Sequence, residues 1–304
     1  MDVQKLETEP LNARLFHALE KSDIYEVERL IQMGASVNAV RGADGETPLL
    51  VATGRGDLAM MELLLLLGAS RHRFDMNGNY AIHRATRLGH LESVKLLMQR
   101  GSHAFVGNGN YDTPLMIASM HGHTEIVKYF LSENIPMMYQ LNVKGRSELT
   151  LATAKGHTDI VTLLLAEGDP SKDRIDELNQ ALRIAVNADN IEITRILLDS
   201  GADPNIKDMA GSPLIISPLC RGSEFIVRQL LLKGADIDER DSTGYTLLMR
   251  AIALGNANFV RTFIALGANV NASQANGTAT VLSIAKFYDD PEIIEIVEKA
   301  LHED

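Results

Sequence analysis

The sequence has no tryptophan and a single cysteine among its 304 residues. One cysteine cannot form a disulfide within the chain, so disulfides do not hold the fold, and a reducing compartment such as the cytoplasm fits this composition. Long apolar runs are also missing, because the longest block, residues 63–67, is far shorter than the roughly 20 residues that cross a bilayer. Residues 1–10 carry three acidic side chains and no apolar core, so we expect no secretory signal.

The chain has fewer basic than acidic residues. The chain has 29 Lys and Arg residues against 40 Asp and Glu residues, a net charge of −11. Such a chain repels phosphates, which argues against a general nucleic-acid binder. The composition, 45% apolar and 23% charged, is nevertheless typical of a folded globular protein rather than a disordered one.

What the sequence does contain is a repeat of 33 or 34 residues. Its marks are Gly-Ala pairs and weaker versions of them, which begin at Gly34, Gly68, Gly101, Asn134, Gly168, Gly201, Gly234 and Gly267. A Thr-Pro-Leu segment, as at Thr47 and Thr113, and a Gly-His pair, as at Gly89 and Gly122, recur with the same period. This regularity predicts a stack of copies of one structural unit.

Each repeat predicts two helices and a hairpin. Thr113 can cap the first helix through its hydroxyl, and Pro114 suits the first helical position. Gly122 can end that helix in a left-handed conformation. Apolar residues at helical spacing within 126–131 predict the second helix, and the Asp-x-x-Gly segment at 75–78 is typical of a hairpin tip.

Together these features resemble the ankyrin-repeat family, whose unit carries Thr-Pro-Leu-His-x-Ala. The resemblance covers residues 12–301 and implies an all-α fold, an ankyrin-repeat solenoid of stacked helix-turn-helix units joined by β-hairpin-like fingers. We expect a single domain over residues 1–304 with about nine units. Its parts are an N-terminal cap at 12–40, internal repeats at 41–273 and a C-terminal cap at 274–301.

Two segments depart from the pattern. Residues 175–178 lack the Asp-x-x-Gly tip, so we expect an irregular finger there. Pro218 falls inside an expected first helix, where proline costs about 3 kcal/mol. Either that helix starts at Pro213 and is bulged, or it begins late.

The side chains that usually carry chemistry favour structural roles. Histidines recur before the second helices, at His90, His123 and His157. We expect these, and His83, to bond a neighbouring turn. The pair His121 and His123 has no carboxylate or cysteine at ligand spacing, so no metal site is expected, and Cys220 is expected to be packed or half-exposed. Without a Gly-rich phosphate loop or a catalytic constellation, we expect neither a cofactor nor enzyme activity.

The resemblance places function on the concave side, at the hairpin tips and first helices. It implies a position rule: the variable positions are the second, third and fifth residues of each repeat and the two residues before the Gly-His corner. The candidate partner-binding residues are Met76, Asn77, Asn79, Arg84, Arg87, Leu88, Asn110, Tyr111, Asp112, Met120, His121, Lys144, Arg146, Lys155 and Tyr245. Tyr111 takes the place of a tip glycine and is the first candidate contact, because tyrosine is a common interface anchor. The alternative is that its ring covers the neighbouring finger.

Charge varies along the chain. Residues 71–174 have a net charge of +2, between values of −5 for residues 1–70 and −5 for residues 175–241, while residues 242–304 have −3. The basic candidates are Arg84, Arg87, Lys144, Arg146 and Lys155. Such a band is either an ordinary solvated face or a surface that receives an acidic, extended segment of a partner protein.

The sequence therefore predicts a non-enzymatic protein-interaction scaffold, a cytoplasmic monomer that binds neither nucleic acid nor membranes. Two alternatives stay open at this point. The chain is a regulator or inhibitor of a partner enzyme, or it is an effector that a bacterium secretes into the host cytoplasm.

The position of Pro218 gives a first prediction. Hydrogen exchange will be faster in the first helix around residues 217–221 than in its equivalent at residues 114–120, because a helix that is bulged or begins late around Pro218 has fewer protected backbone amides. Amide exchange followed by mass spectrometry measures this. Uniform protection of both helices would contradict it.

Overall fold

The computed structural model describes residues 10–133, 140–166, 173–208, 210–275 and 277–303. Regular secondary structure within these ranges consists of 18 α-helices, accompanied by isolated β-bridges, so the predicted all-α class is confirmed. The repeat marks at Asn134 and Gly168 lie outside the described residues. The chain divides into two compact units, Met1–Gly168 and Asp169–Asp304. The single domain over residues 1–304 stays a prediction.

The first unit consists of five helix pairs. Its inner helices are α1 (Leu11–Glu20), α3 (Pro48–Arg55), α5 (Ala81–Arg87), α7 (Pro114–His121) and α9 (Glu148–Lys155). Its outer helices are α2 (Ile24–Gln32), α4 (Leu58–Leu66), α6 (Leu91–Gln99), α8 (Thr124–Ser132) and α10 (Thr158–Ala166). Inner helices pack on inner helices and outer on outer, which gives two layers.

The second unit has four pairs in the same arrangement. Its inner helices are α11 (Asp173–Asn187), α13 (Ile216–Arg221), α15 (Leu247–Ala253) and α17 (Val281–Tyr288). Its outer helices are α12 (Ile191–Asp199), α14 (Glu224–Leu232), α16 (Ala257–Ala265) and α18 (Pro291–Glu303).

Helix α7 begins and ends as its sequence predicts. The hydroxyl of Thr113 accepts a hydrogen bond from the amide of Met116 at 3.2 Å, and Pro114 occupies the first turn. Gly122 ends α7 with a φ of 76°, a left-handed conformation that costs side-chain-bearing residues energy. Thr113 and Gly122 therefore fix the length of α7, and every further inner helix can pack in the same register.

The core lies between the two layers of helices. Small residues at one repeat position, Ala85, Ala118 and Ala152, have no exposed surface, so adjacent inner helices approach closely. Outer helices contribute larger apolar side chains such as Leu64 and Leu97, which are also fully buried. Burial of a leucine stabilises the fold by about 2 kcal/mol, so packing between repeats is the main source of stability.

Fingers project from the inner layer and are bonded to one another. In the finger at 75–79, Asp75 Oδ1 accepts hydrogen bonds from the amides of Asn77 and Asn79, each at 2.9 Å. The amide of Met76 donates to the carbonyl of Asp44 in the preceding finger at 2.9 Å. The predicted Asp-x-x-Gly hairpin is confirmed here, and each finger orients the next.

Histidines connect successive repeats, as predicted. Ring nitrogens of His90, His123 and His157 lie 3.3, 3.0 and 3.3 Å from carbonyl oxygens of the preceding repeat. Those carbonyls belong to Thr53, Arg87 and Met120. The bonds hold the histidines in structural roles.

His83 is a buried histidine within α5. Its Nδ1 accepts a hydrogen bond from the amide of Tyr80 at 3.1 Å, and its Nε2 therefore donates to the carbonyl of Val106 at 2.7 Å. Burial lowers the pKa of His83 from its ordinary value to about 4, although the hydrogen bond to Val106 favours protonation. The folded protein therefore holds this imidazole neutral.

The expected irregular finger at 175–178 is wrong. These residues lie inside α11, a helix of 15 residues. Its buried side chains follow helical spacing: Leu178, Ala181, Leu182, Ala185 and Val186. Because this apolar face packs into the core, the chain stays helical over the residues where other repeats form a finger.

The second irregularity is resolved in favour of a late start. Helix α13 begins at Ile216, so Pro218 lies in its first turn. An amide hydrogen has no helical partner in that turn, so the proline sacrifices no hydrogen bond there. The outcome is a helix of six residues, shorter than the eight of α7.

The buried His83 predicts a pH dependence of stability. Its pKa is about 4 in the folded state and close to 6.5 when unfolded. Between these values the unfolded chain binds the extra proton, so the free energy of unfolding decreases as the pH falls from 6.5 towards 4, by about 3 kcal/mol in total. Urea unfolding at several pH values measures this.

The matched variant is His83→Gln, which retains a side-chain donor but does not titrate. The difference in stability between the two proteins will change across this pH range, with the wild type losing more at low pH. Parallel stability profiles for both proteins would contradict the assignment.

Candidate partner-binding surface

The candidate residues lie mainly on one surface of the first unit. We call the exposed sides of its fingers (residues 41–46, 75–79, 108–112 and 142–146) and of its inner helices the finger surface. All candidates except Tyr245, in the second unit, and the buried Asn79 belong to it. Backbone hydrogen bonds join its fingers: besides the bond between Met76 and Asp44, the amide of Gly109 donates to Asn77 and that of Val143 to Asn110, each at 3.0 Å.

A concave pocket of about 640 Å³ opens on the finger surface. Six candidates line it: Met76, Asn77, Asn79, Arg84, Arg87 and Leu88. Eight further residues complete the lining: Glu20, Arg41, Asp44, Glu46, Val51, Gly54, Arg55 and Asp75. The structure thus brings the candidates of one repeat together with residues of the two preceding repeats.

Paired charges form one side of this pocket. Glu46 accepts hydrogen bonds from Arg41 and Arg84, each at 2.8 Å, and Arg41 also pairs with Glu20. The bond from Arg41, with that from Arg84, holds the pKa of Glu46 below its ordinary value despite partial burial. Arg84 is therefore already neutralised, and it contributes a polar surface rather than a free cation.

The rim of the pocket is apolar. Met76 and Leu88 are 67% and 47% exposed. Gly54 leaves room for the side chain of Arg84, since a β-carbon at this position would lie 3.0 Å from Arg84 Nε. A pocket with an apolar rim and a polar interior suits a side chain of a protein partner.

At the pocket and beyond it, the finger surface carries exposed Lys and Arg side chains. Arg87, Lys144, Arg146 and Lys155 are exposed, and none of them forms an ion pair with another described residue. The guanidinium of Arg87 donates to Asn79 Oδ1 at 3.2 Å, which holds it over the pocket. Each of these side chains can therefore bind an incoming carboxylate without first breaking an ion pair to another described residue.

Tyr111 occupies the tip of the third finger in a strained conformation. Its φ is 60°, in the left-handed region that favours glycine, and its side chain is 66% exposed. A ring so exposed is available for contact with a partner.

Several candidates have structural roles instead of open surfaces. Asn79 is buried and accepts a hydrogen bond from Asn108 at 2.9 Å, while Asp112 accepts one from Asn142 at 2.8 Å. Met120 is half-buried. Tyr245, which lies in the second unit, is half-buried beneath the guanidinium of Arg250, 5.0 Å from its ring centre.

His121 is exposed and stacks on His123 with 6.0 Å between ring centres. Partial burial, followed by the charges of His123 and other nearby cations, lowers the pKa of His121. Among the described residues, no group of three or more His, Cys, Asp and Glu side chains is arranged to hold a metal ion. Cys220 is exposed rather than packed.

The residues that sequence reasoning missed follow the same position rule. Asp44 and Glu46 stand one repeat before Asn77 and Asn79. Extending the rule to the first finger would have found both. Arg41 and Glu20 carried no such signal, because their places in the pocket depend on side-chain ion pairs.

The helix pairs, bonded fingers and concave surface define a class of protein, a helical repeat protein that presents fingers on one side. The family model described as "Ankyrin repeats (3 copies)" matches residues 15–108, 102–176, 138–208 and 214–301. The chain therefore belongs to the ankyrin-repeat family. Ankyrin repeats bind partner proteins in general.

Similar curated proteins include proteins of animals and viruses. The B-cell lymphoma 3 protein homolog of Mus musculus is 34% identical over 99 residues, which is 33% of this chain and 22% of that protein. Interferon antagonist OPG039 of Monkeypox virus is 32% identical over 130 residues, 42% of this chain and 44% of that protein. The chain thus spans less than half the length of these relatives. No helix in the described ranges is long and apolar enough to cross a membrane.

The strained tip residue gives a prediction about stability. Replacing Tyr111 by glycine relieves a left-handed conformation that costs about 1–2 kcal/mol, while glycine loses roughly 0.5–1 kcal/mol through added freedom of the unfolded chain. The variant will therefore unfold at an equal or higher urea concentration than the wild type. The control is Tyr111→Ala, which keeps the strain. A glycine variant less stable than the alanine variant would contradict this account.

Proposed function

We propose that the chain is a non-enzymatic interaction scaffold that works as a cytoplasmic monomer and binds a partner protein through its finger surface. The observation that carries the proposal is the set of exposed cations without ion-pair partners among the described residues: Arg87, Lys144, Arg146 and Lys155. They stand beside the exposed apolar side chains of Met76 and Tyr111.

The partner segment that fits this surface is extended and acidic. Bonded fingers form a continuous row, so a segment in extended conformation can cross several of them. Arginine binds carboxylates through two parallel hydrogen bonds, so Arg87 and Arg146 give the surface a preference for Asp and Glu. The pocket adjacent to Arg87 then takes an apolar side chain of the same segment between Met76 and Leu88.

A second candidate function is inhibition of a partner protein. Its support is that two relatives, from Monkeypox virus and Vaccinia virus, are named interferon antagonists. An inhibitor would use the same finger surface to cover its target. The further alternative of a secreted bacterial effector concerns the place of action and is compatible with either role.

The experiment measures binding of a short fluorescein-labelled acidic peptide, with leucines between its glutamates, to the full chain by fluorescence anisotropy. The test variant carries Arg87→Glu, Arg146→Glu and Lys155→Glu. We expect binding to weaken at least tenfold, because each charged contact contributes roughly 0.5–1 kcal/mol or more, and its salt dependence to vanish.

The matched control carries Arg29→Glu, Arg100→Glu and Lys128→Glu, which changes the net charge equally at exposed sites in, or directly after, outer helices. Its affinity will change far less than that of the test variant. Equal losses of affinity in both variants would show that peptide binding depends on the net charge of the chain and not on the finger surface. Unchanged binding by the test variant would exclude the finger surface as the site.

A further inference from the structure

The last inner helix of the second unit ends in an exposed aromatic pair. Phe287 and Tyr288 are the final residues of α17, and they are 79% and 48% exposed. Their ring centres lie 5.3 Å apart with planes at 87°. Asp289 follows with a φ of 56°, the left-handed conformation that glycine adopts at corners such as Gly122. The pair therefore occupies the positions that Arg87 and Leu88 have in the first unit.

A third apolar side chain lies in the same register. Helix α15 packs beside α17, and Leu254 directly follows α15, just before a corner glycine. Leu254 is 44% exposed. We call Leu254, Phe287 and Tyr288 the aromatic patch. Two exposed rings and a leucine at adjacent corners are an apolar surface of the kind that marks binding sites.

The surroundings of the aromatic patch are negative. Three cations of this part of the chain have carboxylate partners: Arg250 pairs with Asp241, Arg261 with Glu292 and Lys286 with Glu298. Asp289, next to the rings, is exposed and forms no ion pair with another described residue. Residues 242–304 have a net charge of −3. The first unit's finger surface, by contrast, presents free cations, so the two surfaces suit partners of opposite charge.

We propose that the aromatic patch docks a basic segment of a partner protein, with an arginine or lysine stacked on Phe287 or Tyr288. Cations bind the faces of aromatic rings, and a neighbouring carboxylate such as Asp289 adds a direct charge contact. The aliphatic part of the same basic side chain covers Leu254. The unit already contains such a contact, since the guanidinium of Arg250 lies 5.0 Å from the ring centre of Tyr245.

This surface is separate from the one proposed above and does not depend on it. The aromatic patch consists of residues of the second unit alone, and its preferred partner has the opposite charge. A basic peptide will therefore bind equally well to the variant with Arg87→Glu, Arg146→Glu and Lys155→Glu. Failure of one proposal leaves the other unaffected.

The test uses the full chain and a short fluorescein-labelled peptide in which arginines alternate with leucines and serines. Wild-type protein will bind it, and the variant with Phe287→Ala and Tyr288→Ala will bind it roughly tenfold more weakly. Asp289→Asn will weaken binding and reduce its salt dependence. Because these side chains are exposed, circular dichroism will find the variants as stable as the wild type.

The matched control is Phe225→Ala, which removes a phenylalanine of similar exposure, 70%, from outer helix α14. This variant will keep wild-type affinity. The proposal is overturned if the wild type does not bind the basic peptide, if the Phe225 variant loses as much affinity as the double variant, or if a peptide with glutamate in place of arginine binds the patch equally well. It is also overturned if sedimentation shows that Phe287 instead supports self-association of the chain.

Discussion

Each helix pair of this protein has two apolar faces that only a neighbouring pair can cover. Fully buried residues such as Ala118 and Leu97 meet side chains of adjacent repeats, and no single pair encloses a core of its own. Stacking is therefore the constraint on which the structure depends. The capping threonine, the corner glycine and the corner histidine serve it in the regular repeats, because they fix where the helices begin and end and how one repeat contacts the next.

Stacking also determines where binding residues can stand. Side chains between repeats are buried by packing and cannot contact a partner. The positions that can do so are those at finger tips and at the ends of inner helices. Because fingers are bonded to each other through Met76, Gly109 and Val143, these free positions form ordered rows. Charge then distinguishes the surfaces of the two units. Among the described residues, the first unit presents cations without ion-pair partners, and the end of the second presents aromatic rings next to a carboxylate without one.

Much of the fold could be predicted from the sequence because the repeat dictates it. Thr113 and Gly122 mark the ends of one helix by their own chemistry. At residues 175–178 two signals disagree. The missing Asp-x-x-Gly predicts an irregular finger, whereas the helical spacing of Leu178, Ala181 and Leu182 predicts the helix that the structure has. Where local turn chemistry is absent, the apolar period is the better guide.

The site was only partly predictable, since positions repeat but side-chain partners do not. The position rule placed Met76, Arg87 and Leu88 in one pocket. It could not reveal that Glu46 neutralises Arg84, because that ion pair crosses between repeats. Phe287 and Tyr288 are not predicted for another reason: Asp289 replaces the corner glycine that marks the two preceding residues as exposed in other repeats.

The central claim is that the fingers of the first unit receive a partner. The most direct measurement is amide hydrogen exchange of the full chain with and without the bound acidic peptide. Binding of the peptide at the fingers will slow exchange at residues 75–79, 108–112 and 142–146, with no change in outer helices such as α6 and α8. Protection confined to the outer helices, with unchanged fingers, would contradict it.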